Sequence, residues 1–193
     1  MSDCAFCRSS PPDNDADALP MVQARVAKKD PEAINYLGEQ YFHGVLGLQK
    51  DMQKAVDLYT EAAELGSIQA LFNLGFAYER GNGVKQDMAK AAEFYGRAAM
   101  QGHVGCRHNL GVIEFKKGNC DRAARHFLIS AKMGYKESVD NIKLAFSAGL
   151  ATKEQYTQAL RECQDAVEEM KSHDRDEAAK RLGGPERGDE QRY

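Results

Sequence analysis

A block of about 36 residues recurs along this chain, and such a block constrains the fold more than any single motif does. The first part of the block returns after 37 residues, with Leu37, Gly38, Tyr41 and Gly44 repeated as Leu74, Gly75, Tyr78 and Gly81. The second part returns after 36 residues, with Asp51, Lys54, Ala55, Tyr59, Ala62 and Gly66 repeated as Asp87, Lys90, Ala91, Tyr95, Ala98 and Gly102. The one-residue difference falls in residues 44–50 against 81–86, which are therefore predicted to be loops.

A third and a fourth copy follow the first two. In the third copy, the Asn-Leu-Gly run at 73–75 returns at 109–111, and a shortened middle loop reduces the later spacing to 32 residues. The fourth copy has Lys143 in place of the recurring glycine, as expected of a terminal repeat without a further neighbour. The matches predict repeats over residues 31–66, 67–102 and 103–134, and a degenerate capping repeat over residues 135–171.

Each copy carries the signals of two helices, and no strand pattern competes with them. Asp30 before Pro31 is typical of a helix start, and Asp51 occupies the same kind of position before the second helix. Gly66 and its equivalents fit the left-handed residue that ends a helix. Gly38 stands inside a helix, where glycine costs roughly 1 kcal/mol relative to alanine, so its recurrence predicts a close contact between helices. The fold class is therefore all-α, built from αα-hairpins.

The recurring residues resemble the Sel-one-like repeat (SLR). The pattern A-x3-L-G-x2-Y-x2-G, followed by D-x2-K-A-x3-Y-x2-A-A-x2-G, matches residues 33–66 and 70–102, while residues 106–134 match with Glu114 in place of tyrosine. The resemblance implies a right-handed α-solenoid, a TPR-like superhelix whose concave surface binds other proteins or peptides. It also implies an adaptor or scaffold of the kind found in protein quality control and in signalling assemblies.

The regions outside the repeats have different compositions. Residues 1–18 include a polar, acidic and proline-bearing stretch and are predicted to be a flexible segment. Residues 19–30 are predicted to form a capping helix, spanning Leu19 to Lys29, that covers the first repeat. Residues 172–193 mix acidic and basic side chains with glycines and a proline, and are predicted to be a disordered polar tail.

Cys4 and Cys7 form the one metal-like motif of the sequence. Two thiolates at this spacing can share a zinc ion, but a structural zinc site needs four ligands. The pair resembles the last ligand pair of a RING-type zinc finger, although the six preceding ligands have no counterpart in this sequence. No cofactor is expected, and zinc only if a complete finger lies upstream. The alternative function is then the substrate-recognition part of a ubiquitin ligase.

Charge and hydropathy exclude several classes of partner. The formal net charge is −3 and the pI is about 6.0, which argues against nucleic acid and anionic membranes because both favour a basic protein. No stretch approaches the roughly 18 apolar residues of a membrane span. The first ten residues lack the pattern of a secretory signal, and the five cysteines suit a reducing compartment. A cytoplasmic location is therefore expected.

Nothing in the sequence predicts an enzyme. There is no phosphate-binding loop, no G-x-S-x-G or H-E-x-x-H motif, and no nucleophile beside an evident base. His103 and His108 lie near Cys106, but a spacing of five places them on diverging faces of a helix. They are predicted to be loop and surface histidines, whereas the cysteine is predicted to pack.

The leading hypothesis is a non-enzymatic scaffold that binds a peptide or helix of another protein on the concave face. In TPR-like stacks the first helix of each hairpin lines that face. The phase of the repeat predicts the partner-binding residues Asn35, Glu39, Phe42, Phe72, Phe76, Arg80, His108, Val112 and Phe115. Apolar strips with polar rims often mark partner sites. The alternative for several members is packing between neighbouring first helices. Self-association through the degenerate fourth repeat is a further expectation.

Overall fold

The computed structural model describes residues 15–149 and 151–170, apart from the side chains of residues 15–17, 155, 162, 163 and 166–170. This part of the chain is helical and contains no strand. Its helices, in order, are α1 (Asp15–Val26), α2 (Pro31–His43), α3 (Met52–Glu64), α4 (Ile68–Arg80), α5 (Met88–Met100), α6 (Val104–Lys116), α7 (Cys120–Lys132), α8 (Lys136–Ser147) and α9 (Lys153–Met170).

The helices pair as antiparallel hairpins that stack in sequence order. The hairpins are α2 with α3, α4 with α5, α6 with α7 and α8 with α9, and the second helix of each of the first three packs on the first helix of the next. α1 packs against α2, and α9 also contacts α7. We call α2, α4, α6 and α8 the first helices. This arrangement is the predicted α-solenoid of αα-hairpins.

The predicted helix caps are confirmed. The carboxylate of Asp30 accepts hydrogen bonds from the backbone amides of Glu32 and Ala33, and Asp51 accepts one from Lys54 at 2.9 Å. Gly66 and its equivalents have left-handed backbones, with φ of 99° at Gly66 itself. Residues 44–50 and 81–86 connect helices, as the change in repeat spacing predicted.

The capping helix differs from its prediction. α1 begins at Asp15, inside the segment predicted to be flexible, and ends at Val26 rather than Lys29. Acidic residues near its start favour a helix there through the helix dipole. It ends early because Lys29 has a left-handed backbone, with φ of 59°, and the turn is closed by an ion pair of 2.7 Å between Arg25 and Asp30.

The buried core is formed by residues at recurring positions of the repeat. One buried cluster runs from Ile34 in α2 to Ile113 in α6, and a second joins α7, α8 and α9 around Phe127 and Ile142. Alanines at recurring positions, such as Ala62 and Ala98, are fully buried and let neighbouring helices approach closely. The signature residues therefore form the interfaces within and between hairpins, and leave the outward side chains of the first helices for other roles.

Candidate functional site

The predicted partner-binding residues all lie on the first helices, but the structure gives them different surroundings. We call this set the first-helix stripe, defined as Asn35, Glu39 and Phe42 on α2, Phe72, Phe76 and Arg80 on α4, and His108, Val112 and Phe115 on α6. Two sets of three recur at spacings of 37 and 36 residues, Asn35 with Phe72 and His108, and Glu39 with Phe76 and Val112. Their burial and contacts decide which of them can meet a partner.

Asn35 and Glu39 join the first two repeats to each other. Asn35 is only 4% exposed, and its amide donates to Oε1 of Glu39 at 3.1 Å. Asn73 of α4 donates from its Nδ2 to Oδ1 of Asn35 at 2.9 Å and to Oε1 of Glu39 at 3.1 Å. These hydrogen bonds are partly buried, where an unpaired polar group would be costly. Asn35 therefore acts mainly in packing α2 against α4.

Phe72 belongs to the interface between the second and third repeats. Its ring stacks on His103, with centroids 5.0 Å apart, and lies 6.1 Å from the ring of Tyr95. His103 is the N-cap of α6, since its Nδ1 accepts a hydrogen bond from the backbone amide of Cys106 at 3.1 Å. His103 lies in the loop between α5 and α6, as predicted, but it is half-buried, and burial lowers its pKa.

Glu79 of α4 makes polar contacts with both α5 and α6. The hydroxyl of Tyr95 donates to Oε2 of Glu79 at 2.9 Å, and Lys116 lies 3.9 Å from the other carboxylate oxygen. Burial, together with the charge of Glu79, raises the pKa of Tyr95, so the hydroxyl keeps its proton and remains a donor. Both carboxylate oxygens of Glu79 are thus already engaged within the chain.

His108 and Val112 lie at the junction of the third and fourth repeats. Nδ1 of His108 is 2.8 Å from the hydroxyl oxygen of Ser138, and its Nε2 is 3.4 Å from Nδ2 of Asn141. Because an amide nitrogen donates, Nε2 accepts and Nδ1 carries the proton. Burial lowers the pKa of His108, which is half-buried rather than the surface histidine predicted. Val112 packs against the second core cluster, whereas Phe115 is 36% exposed.

Phe42 and Phe76 bring two neighbouring repeats together through their rings. The centroids are 6.4 Å apart and the rings meet edge to face, in a geometry that aromatic pairs prefer. Both side chains are half-buried, and a cation lies over each ring: Nζ of Lys50 is 6.0 Å from the Phe42 centroid, and Cζ of Arg80 is 5.7 Å from the Phe76 centroid. The stripe thus contains a half-buried aromatic pair at the junction of α2 and α4, each ring lying beneath an exposed cation.

Sequence reasoning missed several residues that shape this surface. Lys50 lies in the loop between α2 and α3, where the copies differ in length. The repeat pattern therefore could not predict where its side chain lies. Asn73 was visible as a recurrence, because asparagine also stands at 109 and 141, but its partners could not be assigned. The structure shows the same hydrogen bond at two junctions between first helices. The amide of Asn73 contacts Asn35, and the amide of Asn141 contacts His108 at the equivalent position.

The stripe carries no arrangement typical of catalysis or metal binding. Residues 15–149 and 151–170 contain no group of three or more histidine, cysteine or acidic side chains that could hold a metal ion. Cys106 is buried, as predicted, and burial raises the pKa of its thiol to about 12. Cys4 and Cys7, the predicted weak zinc candidates, lie outside the described residues. Across the described helices, none combines the length and apolar character needed to cross a membrane.

Comparison with solved structures shows the same architecture in two proteins. A Sel1 repeat protein from Oxalobacter formigenes is 28% identical, with a TM-score of 0.66, over 81% of this chain and 65% of its own length. The Escherichia coli protein c5321, a protective antigen of uropathogenic strains with an SLR fold, is 29% identical, with a TM-score of 0.67, over 79% of this chain and 33% of its own length. This chain thus spans less than two thirds of either neighbour.

No curated protein matches the sequence. The Sel1 repeat itself matches three consecutive segments, residues 31–67, 68–103 and 104–135. Each segment contains one hairpin of the stack, from α2 with α3 to α6 with α7, and its bounds agree within one residue with those predicted from the sequence. The match covers more than half of the chain and coincides with the helical hairpins, so this protein belongs to the Sel1 repeat family.

Proposed function

We propose that this protein is an interaction scaffold that binds a peptide or helix of another protein along the first-helix stripe. Sel1 repeats stack into a solenoid whose neighbouring hairpins share their apolar faces, and no other described helix covers the outward face of the first helices. Solenoids of this kind use an extended surface across several repeats for binding. The stripe has no reactive group to suggest a chemical role.

The observation that carries the proposal is the pair formed by Phe42 and Phe76. Phe42 and Phe72 pack against the first core cluster, and Val112 packs against the second. Phe76 instead meets Phe42 at the junction of two repeats, where both rings remain partly open to solvent. Aromatic side chains at the centre of a surface with a polar rim are frequent hot spots of protein–protein interfaces. Phe42 and Phe76 are therefore the proposed anchors.

A peptide-display selection on the whole protein tests this proposal. Random peptides are selected for binding, and the enriched sequences are measured against Phe76→Ala by fluorescence anisotropy. Loss of an aromatic hot spot is expected to weaken binding by about 30-fold or more. Circular dichroism at the same temperature establishes that the variant is folded.

Phe94→Ala is the matched control. Phe94 is also half-buried and also lies beneath a cation, because Cζ of Arg97 is 5.7 Å from its centroid, but it belongs to α5, a second helix of a hairpin. Its ring stacks on Tyr78, so its removal reproduces the general destabilisation without touching the stripe. Equal binding by Phe76→Ala and the wild type would refute the proposed site.

A further inference from the structure

The two cations above the aromatic pair form no ion pair within the described part of the chain. Lys50 and Arg80 are exposed, and among the described residues neither has an acidic group within ion-pairing distance. Two cations of the next repeat are paired with acids: Lys116 lies 3.9 Å from Glu79, and Lys117 lies 3.2 Å from Glu114. The aromatic pair is thus flanked by two positive charges that no acidic side chain of residues 15–149 and 151–170 pairs with.

The acidic groups of the same surface are already occupied. Oε1 of Glu39 accepts from both Asn35 and Asn73, and the oxygens of Glu79 face Tyr95 and Lys116. Neither carboxylate can turn to Lys50 or Arg80 without giving up a partly buried hydrogen bond. Lys50 and Arg80 are therefore complementary to negative charge that the described first helices do not supply.

We propose that the peptide bound by the first-helix stripe is acidic, with carboxylates beside an apolar side chain. The apolar side chain contacts Phe42 and Phe76, while flanking carboxylates pair with Lys50 and Arg80. This inference rests on the proposed function and adds the chemical class of the partner. Charge-assisted hydrogen bonds from arginine are among the stronger polar contacts, and partial desolvation by the peptide strengthens them.

The geometry favours binding of a peptide carboxylate and its neighbouring apolar side chain at the same time. The two cations lie over rings whose centroids are 6.4 Å apart, so an acidic group that reaches either cation brings the neighbouring residue onto an aromatic surface. A basic peptide would meet repulsion from the same cations, which excludes it. A neutral apolar peptide would gain the ring contacts alone and bind more weakly.

The selection described above also tests this inference, provided that it starts from an unbiased library of random peptides. Enriched peptides are expected to contain more aspartate and glutamate than the starting library, close to leucine, phenylalanine or a similar residue. Binding of a synthetic consensus peptide is expected to weaken as salt is raised from about 50 mM to about 500 mM, because salt screens exposed charge pairs.

Charge reversal provides the matched pair of variants. Arg80→Glu is expected to weaken binding of the consensus peptide by about tenfold or more, and Lys50→Glu with Arg80→Glu by more than either alone. Arg97→Glu is the control, since Arg97 lies at the same 5.7 Å distance over a phenylalanine ring but on α5. It changes the net charge equally and is expected to leave binding unchanged.

The outcomes separate this inference from the proposed function. Acidic enrichment with loss on Arg80→Glu, but not on Arg97→Glu, supports both. Peptides that need Phe76 but show no acidic enrichment, or that bind Arg80→Glu as well as the wild type, overturn the inference and leave the proposed function standing. Peptides indifferent to Phe76→Ala refute the proposed function itself.

Discussion

Gly75 lies so close to Tyr95 that a Cβ added to the glycine would stand 2.5 Å from two carbons of the tyrosine ring. The ring is fully buried, with no exposed surface, so it cannot turn aside. The same contact recurs in the neighbouring hairpins, where added carbons would stand 2.7 Å from Tyr59 at Gly38 and 2.6 Å from Phe127 at Gly111. This close approach offsets the cost of glycine inside α2, α4 and α6.

Gly75→Ala is therefore expected to destabilise the protein by about 1 to 2 kcal/mol, since the overpacking penalty exceeds the gain in helix propensity. Urea unfolding followed by circular dichroism measures the change. Gly96→Ala is the control, because Gly96 is also helical but nothing lies within 4 Å of its added carbon. That variant is expected to gain about 1 kcal/mol. A Gly75→Ala protein as stable as the wild type would contradict the packing argument.

The sequence predicted the hairpins well because the residues that define them have local or strictly periodic causes. Helix caps such as Asp51 act within one turn, and the recurring glycines mark contacts that return with every copy. The third repeat departs from the pattern with Glu114 in place of tyrosine. The cation that contacts this position changes as well. In the first repeat, Nζ of Lys54 lies 4.1 Å from the ring centroid of Tyr41, whereas in the third repeat the equivalent Arg122 lies 3.9 Å from the carboxylate of Glu114.

The surface was predicted less well because it depends on contacts between copies. Asn35 and Phe72 occupy equivalent positions of successive repeats. Asn35 is nevertheless hydrogen-bonded to the next first helix, whereas Phe72 stacks on His103. Which side chain remains accessible is decided by its particular neighbour in the following repeat. Lys50 lies in a loop where the periodicity fails, so no pattern could place it over Phe42.

Asn73→Asp is expected to weaken the junction between the first two repeats. The amide donates to Oδ1 of Asn35 and Oε1 of Glu39, and a carboxylate in its place would face two acceptors, one of them charged. Loss of both partly buried bonds is expected to cost about 2 kcal/mol. The measurement is the midpoint of urea unfolding at neutral pH.

Gln53→Glu provides the comparison for Asn73→Asp. The amide of Gln53 donates to Asp57 at 3.1 Å, so this change also places a carboxylate beside another one, but on the exposed face of α3. Like charges at this spacing on a helix surface cost only about 0.2 to 0.5 kcal/mol. If both variants lost the same stability, the hydrogen bonds of Asn73 would have no structural role.

Acid is expected to destabilise the third repeat, because burial lowers the pKa of three of its histidines. The charge of Arg107 lowers the pKa of His126 further. A histidine with a lowered folded pKa takes up its proton more readily when unfolded, so its stabilising effect is complete above the unfolded value of about 6.5. The free energy of unfolding should fall as pH decreases from about 7.5 to about 5.

His103→Asn tests the contribution of the capping histidine to that effect. Asparagine is a good N-cap and does not titrate in this range, so α6 keeps its cap at every pH. The variant is expected to match the wild type near pH 7.5 and to lose less stability in acid, as urea unfolding at both pH values would show. An unchanged pH dependence would exclude His103 as a contributor.

Cys106 is expected to resist alkylation in the folded protein. Its thiol is buried, and burial raises its pKa to about 12, so at pH 8 only about one thiol in ten thousand is ionised. Cys120 is partly exposed at the start of α7 and serves as the internal comparison. Iodoacetamide labelling followed by peptide mass spectrometry should modify Cys120 first and Cys106 only when urea unfolds the chain. Equal labelling of the two under native conditions would mean that the α5–α6 interface opens readily.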